Sequence, residues 1–136
     1  MTTPFETVKQ YLQQLPVTVV SEDADDQLVV VEAPRQGVHH LVLDCEDDIL
    51  VIEQVIADLP AADADCYRTL LQINRELVHG ALCLDEAGTR LIFRDTLQLE
   101  NLDLNELEGS INALSLMLAE HADQLIRYAR QGGEAA

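Results

Sequence analysis

The chain has 136 residues, enough to bury a core without disulfide or metal staples, and its 48 % apolar content is that of a globular protein. Eight Lys and Arg against 25 Asp and Glu give a net charge of −17, which excludes the basic stripe a nucleic-acid binder needs and disfavours an anionic membrane surface. The opening MTTPFETVKQYLQQLP lacks the basic start and apolar run of a signal peptide, and no apolar stretch approaches a membrane span. Three cysteines at unrelated spacings, Cys45, Cys66 and Cys83, suit free thiols in a reducing cytoplasm.

Residues 3–14 predict a first helix, with Phe5, Val8, Tyr11, Leu12 and Leu15 at helical spacing and Pro16 as its stop. The period then changes to β-branched runs. Val17–Val20 and Leu28–Val31 flank the acidic stretch SEDADDQ, and Val38–Leu43 and Ile49–Ile56 form a second pair across CEDD. Successive strands with no room for crossover helices predict an antiparallel meander. A second helix opens after Pro60, with Asp63 or Asp65 as its cap and an apolar face of Tyr67, Leu70, Leu71, Asn74, Leu77 and Val78. After Gly80 the period returns to two: Ala81–Leu84 and Arg90–Arg94 flank DEAG, where Gly88 suits a tight hairpin.

The last helix starts at the capping pair Asp103 and Glu106 and ends at Gly132-Gly133, with helical pattern to about Ala129. Its length of roughly 40 Å matches the whole diameter, about 35 Å, of a domain this size. Leu104, Leu107, Ile111, Leu114, Leu118, His121, Leu125 and Tyr128 make its stripe, and Leu116 and Met117 widen it beyond what one sheet would cover. The expected architecture is an α+β fold of order α-β-β-β-β-α-β-β-α, one domain over residues 1–130 with a frayed tail over 131–136.

Candidate chemistry is sparse. His39 and His40 are adjacent on a strand and so point to opposite faces, which argues against one shared ion. His79 and Cys83, four apart, are two ligands without a third. Cys66 lies near a helix N-terminus, a setting that activates thiols, but Asp63 and Asp65 oppose that effect. The acidic clusters Glu22/Asp23/Asp25/Asp26 and Asp44/Glu46/Asp47/Asp48 do not follow a calcium-loop pattern and read as solvated turns. His121 reads as a packed histidine within the last helix's stripe, with the alternative that its protonation loosens a dimer seam. Arg68, Arg75, Arg90 and Arg94 read as partners of the acidic surface, or as a hold on one end of a bound peptide. Phosphate-loop, dinucleotide and nucleophile-elbow motifs are missing from the sequence, so no enzyme, catalytic residue, cofactor or metal is expected.

Three segments carry a family likeness: Leu70-Leu71-Gln72-Ile73-Asn74, Gly80-Ala81-Leu82-Cys83-Leu84-Asp85, and Leu97-Gln98-Leu99-Glu100-Asn101-Leu102-Asp103. With the element order they make Gln27 to Tyr128 resemble the type III secretion chaperone (Tir-chaperone) family and its YbjN-like relatives. The resemblance implies a cytoplasmic homodimer that holds an extended client segment on apolar patches and strand edges. Carried over by position, Phe5, Val8, Leu12, Val29, Val31, Leu41 and Leu43 would face the client. Leu91, Phe93, Leu107, Ile111, Leu114, Leu118, His121 and Leu125 would form the dimer interface. Departures are the low aromatic content, 4 %, and the lack of Trp, which leave few large anchor residues.

The function expected is therefore non-catalytic binding of a protein client. The rival readings are a YbjN-like adaptor with one folded partner in a bacterial stress response and an acidic mimic of nucleic acid.

Overall fold

Residues 2–134 are described by the computed structural model, with side chains as far as Gln131. Helix α1 spans Pro4–Gln13 and is fixed at its start by a reciprocal cap: the Thr3 hydroxyl accepts from the Glu6 N–H, and the Glu6 carboxylate accepts from the Thr3 N–H. The strands are β1 (Thr18–Asp23), β2 (Leu28–Ala33), β3 (Val38–Glu46), β4 (Ile49–Asp58), β5 (Ala81–Leu84) and β6 (Arg90–Gln98). Helix α2 (Ala64–Glu76) lies between β4 and β5, and α3 (Leu104–Glu134) follows β6. The order is the one the periodicity predicts. Strands β3, β4 and β6 run longer than their apolar cores because polar residues such as Asp44, Asp58 and Gln98 continue the ladder. Helix α3 passes through Gly132-Gly133, the expected stop, since glycine weakens a helix without ending it unless the chain turns left-handed. Of the expected tail, residues 135 and 136 lie outside the described part.

All strand pairs are antiparallel, in the spatial order β1-β2-β3-β4-β6-β5. The first four form the meander, and α2 carries the chain past β4 so that β6 returns beside it and β5 becomes the far edge. Alternate residues on one sheet face, among them Val29, Leu41, Leu43, Leu50, Ile52, Leu91 and Phe93, enter a single buried cluster. Phe5, Val8 and Leu12 of α1, Cys66, Leu70 and Ile73 of α2, and Leu107, Leu114 and Leu125 of α3 enter the same cluster. The three helices thus cover one face, with α3 lying across β3, β4 and β6. On the other face Val42, Glu53, Val55, Ile92 and Arg94 have no helix over them among the described residues.

The buried stripe of α2 is Cys66, Leu70 and Ile73, not the predicted face. Leu70 is shared by both, but Tyr67, Leu71 and Val78 are exposed. Steps of four and three fit either stripe, and the Asp63 cap decides between them: Asp63 Oδ1 accepts from the Cys66 N–H at 2.9 Å and fixes where the first turn starts.

Candidate protein-binding surface

A sheet can receive another chain only at its edges, and here those are β1 and β5. Strand β5 is partly closed. The Asn74 Nδ2 donates to the Leu82 carbonyl at 3.0 Å, and the Leu82 N–H donates to Asn74 Oδ1 at 2.6 Å. Leu82 pairs with Phe93 on its inner side, so the amide side chain takes the backbone groups that an added strand would need. Strand β1 pairs with β2 alone, and every residue in it is exposed, including Val19 and Val20. A bulge between Val19 and Ser21 and the acids Glu22 and Asp23 interrupt that edge without covering it. Lys9 of α1 reaches Glu22 at 2.7 Å and lies over the Phe5 ring, which ties α1 to this strand.

The second open surface is apolar. Leu71 is 70 % exposed, Val78 88 % and Leu116 60 %. Tyr67, Leu71 and Asn74 follow one another by a turn on α2, so the Asn74 contact places this stripe along the β5 edge. A groove of about 300 Å³ runs between the end of α2 and α3, floored by Ile73, Leu77, Ala113 and Met117. Gly109 admits the His79 ring there: a Cβ on Gly109 would stand 2.8 Å from His79 Nε2. On the rim, His121 Nε2 is 2.9 Å from Glu76 Oε2 and 3.8 Å from Glu120 Oε2.

Phe5, Val8, Leu12, Val29, Val31, Leu41 and Leu43, the residues expected to face a client, are all buried in this chain's own core. Strands β2 and β3 are interior, paired on both sides, so neither offers an edge. Leu91, Phe93, Leu107, Ile111, Leu114 and Leu125, expected at a dimer interface, are likewise buried within the one chain, while Leu118 and His121 are half-buried. Those stripes serve the sheet-helix core first. The exposed Tyr67, Leu71, Val78 and Leu116 lie within the predicted helical stripes, and their spacing does not separate them from core positions.

The remaining candidates separate. His40 has φ +53°, and this left-handed step lets it line one groove with His39 on the open sheet face, against the alternation rule. His79 faces Asp95, Nδ1 to Oδ2 4.0 Å, and among the described residues no cluster of three ligand-type side chains includes His79 or Cys83. Arg68, Arg90 and Arg94 pair with Asp65, Asp58 and Glu53. Burial raises the Cys66 thiol pKa, as does Asp63, so the helix N-terminus does not prevail. Cys45 is pushed up to about 11 by burial and by Asp44. Asp44 is itself raised by burial and by the nearby Glu46, Asp26 and Glu53 carboxylates.

A profile of the CesT_Tir_1 family matches residues 1–131. The chain belongs to that family. Similar folds are found in the crystal structure of YbjN from E. coli, with 16 % identity and TM-score 0.66, covering 92 % of this chain and 95 % of that one. The HopA1–SchA chaperone–effector complex contains another, with 15 % identity and TM-score 0.61 over 85 % of this chain and 91 % of that one. The Yersinia pestis type III secretion chaperone SycH, in complex with a stable fragment of YscM2, has 12 % identity and TM-score 0.55 over 93 % and 99 %. No curated protein sequence matches the chain. As a CesT_Tir_1 member it has a chaperone-like, protein-binding fold, and none of its described helices is long and apolar enough to cross a membrane.

Proposed function

We propose that this CesT_Tir_1 protein is a non-catalytic, cytoplasmic binding protein that holds an extended segment of a protein client along the β1 edge. The observation that carries the reading is the asymmetry of the two sheet edges: β5 is held by Asn74 at Leu82, whereas β1 is open along Thr18–Asp23. The fold it shares with SchA and SycH, each solved in complex with another protein, supports a protein partner. Val19 and Val20 supply apolar contact, and Glu22, Asp23, Asp25 and Asp26 favour basic residues in the client. The working unit is a homodimer that covers the exposed Tyr67 and Leu71 on α2 and Leu116 on α3. Phe5, Val8 and Leu12 act behind the edge, by holding α1 on the sheet, and not as client contacts.

Client capture from host lysate at about 0.5 M salt, where the screening length is roughly 4 Å, followed by hydrogen exchange, tests this. The expected result is protection of the Thr18–Asp23 amides and weakened capture in Val20→Ser, which removes the most exposed apolar side chain of that edge. Protection confined to α2 and α3, with a folded regulator as the bound species, overturns the extended-client reading in favour of an adaptor like the YbjN relatives. Capture abolished by salt points instead to an acidic mimic.

A further inference from the structure

We infer that Glu76, Glu120 and His121 form a site for a divalent transition-metal ion of the zinc class at the mouth of the groove between α2 and α3. The inference does not depend on the client reading. His121 Nε2 is 2.9 Å from Glu76 Oε2 and 3.8 Å from Glu120 Oε2, and one ligand atom from each residue lies within 4.8 Å of the others. Ligand bonds of about 2.0–2.2 Å in a tetrahedral shell put ligand atoms about 3.4 Å apart. The observed separations straddle that spacing, so small rotations of two glutamate side chains seat an ion without moving either helix.

The chemistry of the set favours this class of ion. One imidazole with two carboxylates suits zinc and its neighbours, whereas calcium and magnesium prefer all-oxygen shells. Three protein ligands leave the remaining position to water or to a partner's side chain. The electrostatics agree. Glu76 is the last residue of α2, where the helix's free carbonyls already concentrate negative potential, and Glu120 adds a second carboxylate in a chain of net charge −17. A bound dication offsets that field directly. Glu76 and Glu120 are exposed and His121 is half-buried, which gives an ion a route in from solvent. Once bound, it fastens the end of α2 to α3 and fixes the width of the groove whose floor includes Leu77 and Met117.

The test uses the full chain stripped with chelator and titrated with Zn²⁺ by calorimetry and with Co²⁺ by absorbance. Expected are one equivalent of bound metal, a Co²⁺ spectrum without thiolate charge-transfer bands, and a rise in Tm with added Zn²⁺. His121→Ala, Glu76→Gln and Glu120→Gln should each weaken binding at least about tenfold, at or beyond the range for second-shell changes. The paired change His39→Ala with His40→Ala, and Cys83→Ser, should leave it unchanged. All variants alter partly exposed side chains, and far-UV circular dichroism checks that each is folded. Failure to saturate at one equivalent overturns the site, as does His121→Ala binding as tightly as the parent or loss of binding in the His39/His40 variant.

Discussion

Replacing Asn74 with Ala removes the one side chain that occupies the outward backbone groups of Leu82. Two hydrogen bonds are lost at about 1 kcal/mol net each. Leu82 is only 6 % exposed, so water reaches the freed N–H and carbonyl poorly, which adds about 1 kcal/mol. The expected loss is therefore about 2–3 kcal/mol, or a fall in Tm of about 10 °C for a chain of this length. Asn74→Asp separates the two bonds: its carboxylate still accepts from the Leu82 N–H but repels the Leu82 carbonyl, so at pH 7 it should fall between parent and Asn74→Ala. Urea unfolding gives the free energies, and hydrogen exchange shows whether the Leu82 amide opens first. A strand-forming peptide should also gain a second binding edge on the Ala variant, read as doubled stoichiometry. If Asn74→Ala costs less than about 0.5 kcal/mol, the range of an ordinary surface change, Asn74 does not hold this edge. The argument that singles out β1 then fails with it.

The thiols make a second check. Burial, with a further push from Asp44 on Cys45, Asp63 on Cys66 and Glu53 on Cys83, raises all three pKa values, so little thiolate exists at pH 8. Alkylation followed by peptide mass spectrometry should label Cys83, the one not fully buried, first, and Cys45 and Cys66 only in denaturant; rapid labelling of Cys45 in the native protein contradicts this burial. Asp44 tests the crowding of acids. Folding raises its pKa above 3.8, so the folded state binds the proton more tightly, and stability present in full below 3.8 is lost as pH rises through the raised value. Asp44→Asn should raise Tm at pH 7 and have no effect near pH 3, and a variant that lowers Tm at pH 7 refutes the assigned repulsion.

Helices and strands were legible because the period of apolar residues switches from three-four to two and back, and that switch is a local property of the chain. Strand neighbours are not local. The meander of β1 to β4 follows from short connections, but the return of β6 to β4 depends on a register from Ile49↔Gln98 to Asp58↔Arg90, set by residues some 40 positions apart. Without it, β4 looked like an edge strand. The meander alone makes β2 and β3 interior, but the period does not say which sheet face the helices cover, so Val29, Val31, Leu41 and Leu43 looked free to meet a client. The α2 face was misplaced for a related reason. Asn74 sits on an otherwise apolar stripe, and only its bond to Leu82 shows that this stripe is a boundary with β5.

The same logic explains why the binding surface was harder to read than the core. Core positions repeat with the element's period, so Leu107, Ile111 and Leu114 declare themselves. A surface that waits for a partner consists of the residues left over once the core is satisfied: Val19 and Val20 on the open edge, Leu71 and Val78 by α2, Leu116 on α3. They belong to four different elements or connections, and the helical spacing of Leu71, Val78 and Leu116 does not tell them apart from core positions. What joins them is exposure that the chain's own helices do not relieve, although α3 at 31 residues is long enough to have covered more. A protein this acidic gains solubility from its charge and so can carry such apolar surface without aggregating. The charge is thus what permits the uncovered apolar surface, and the uncovered surface is where a partner acts.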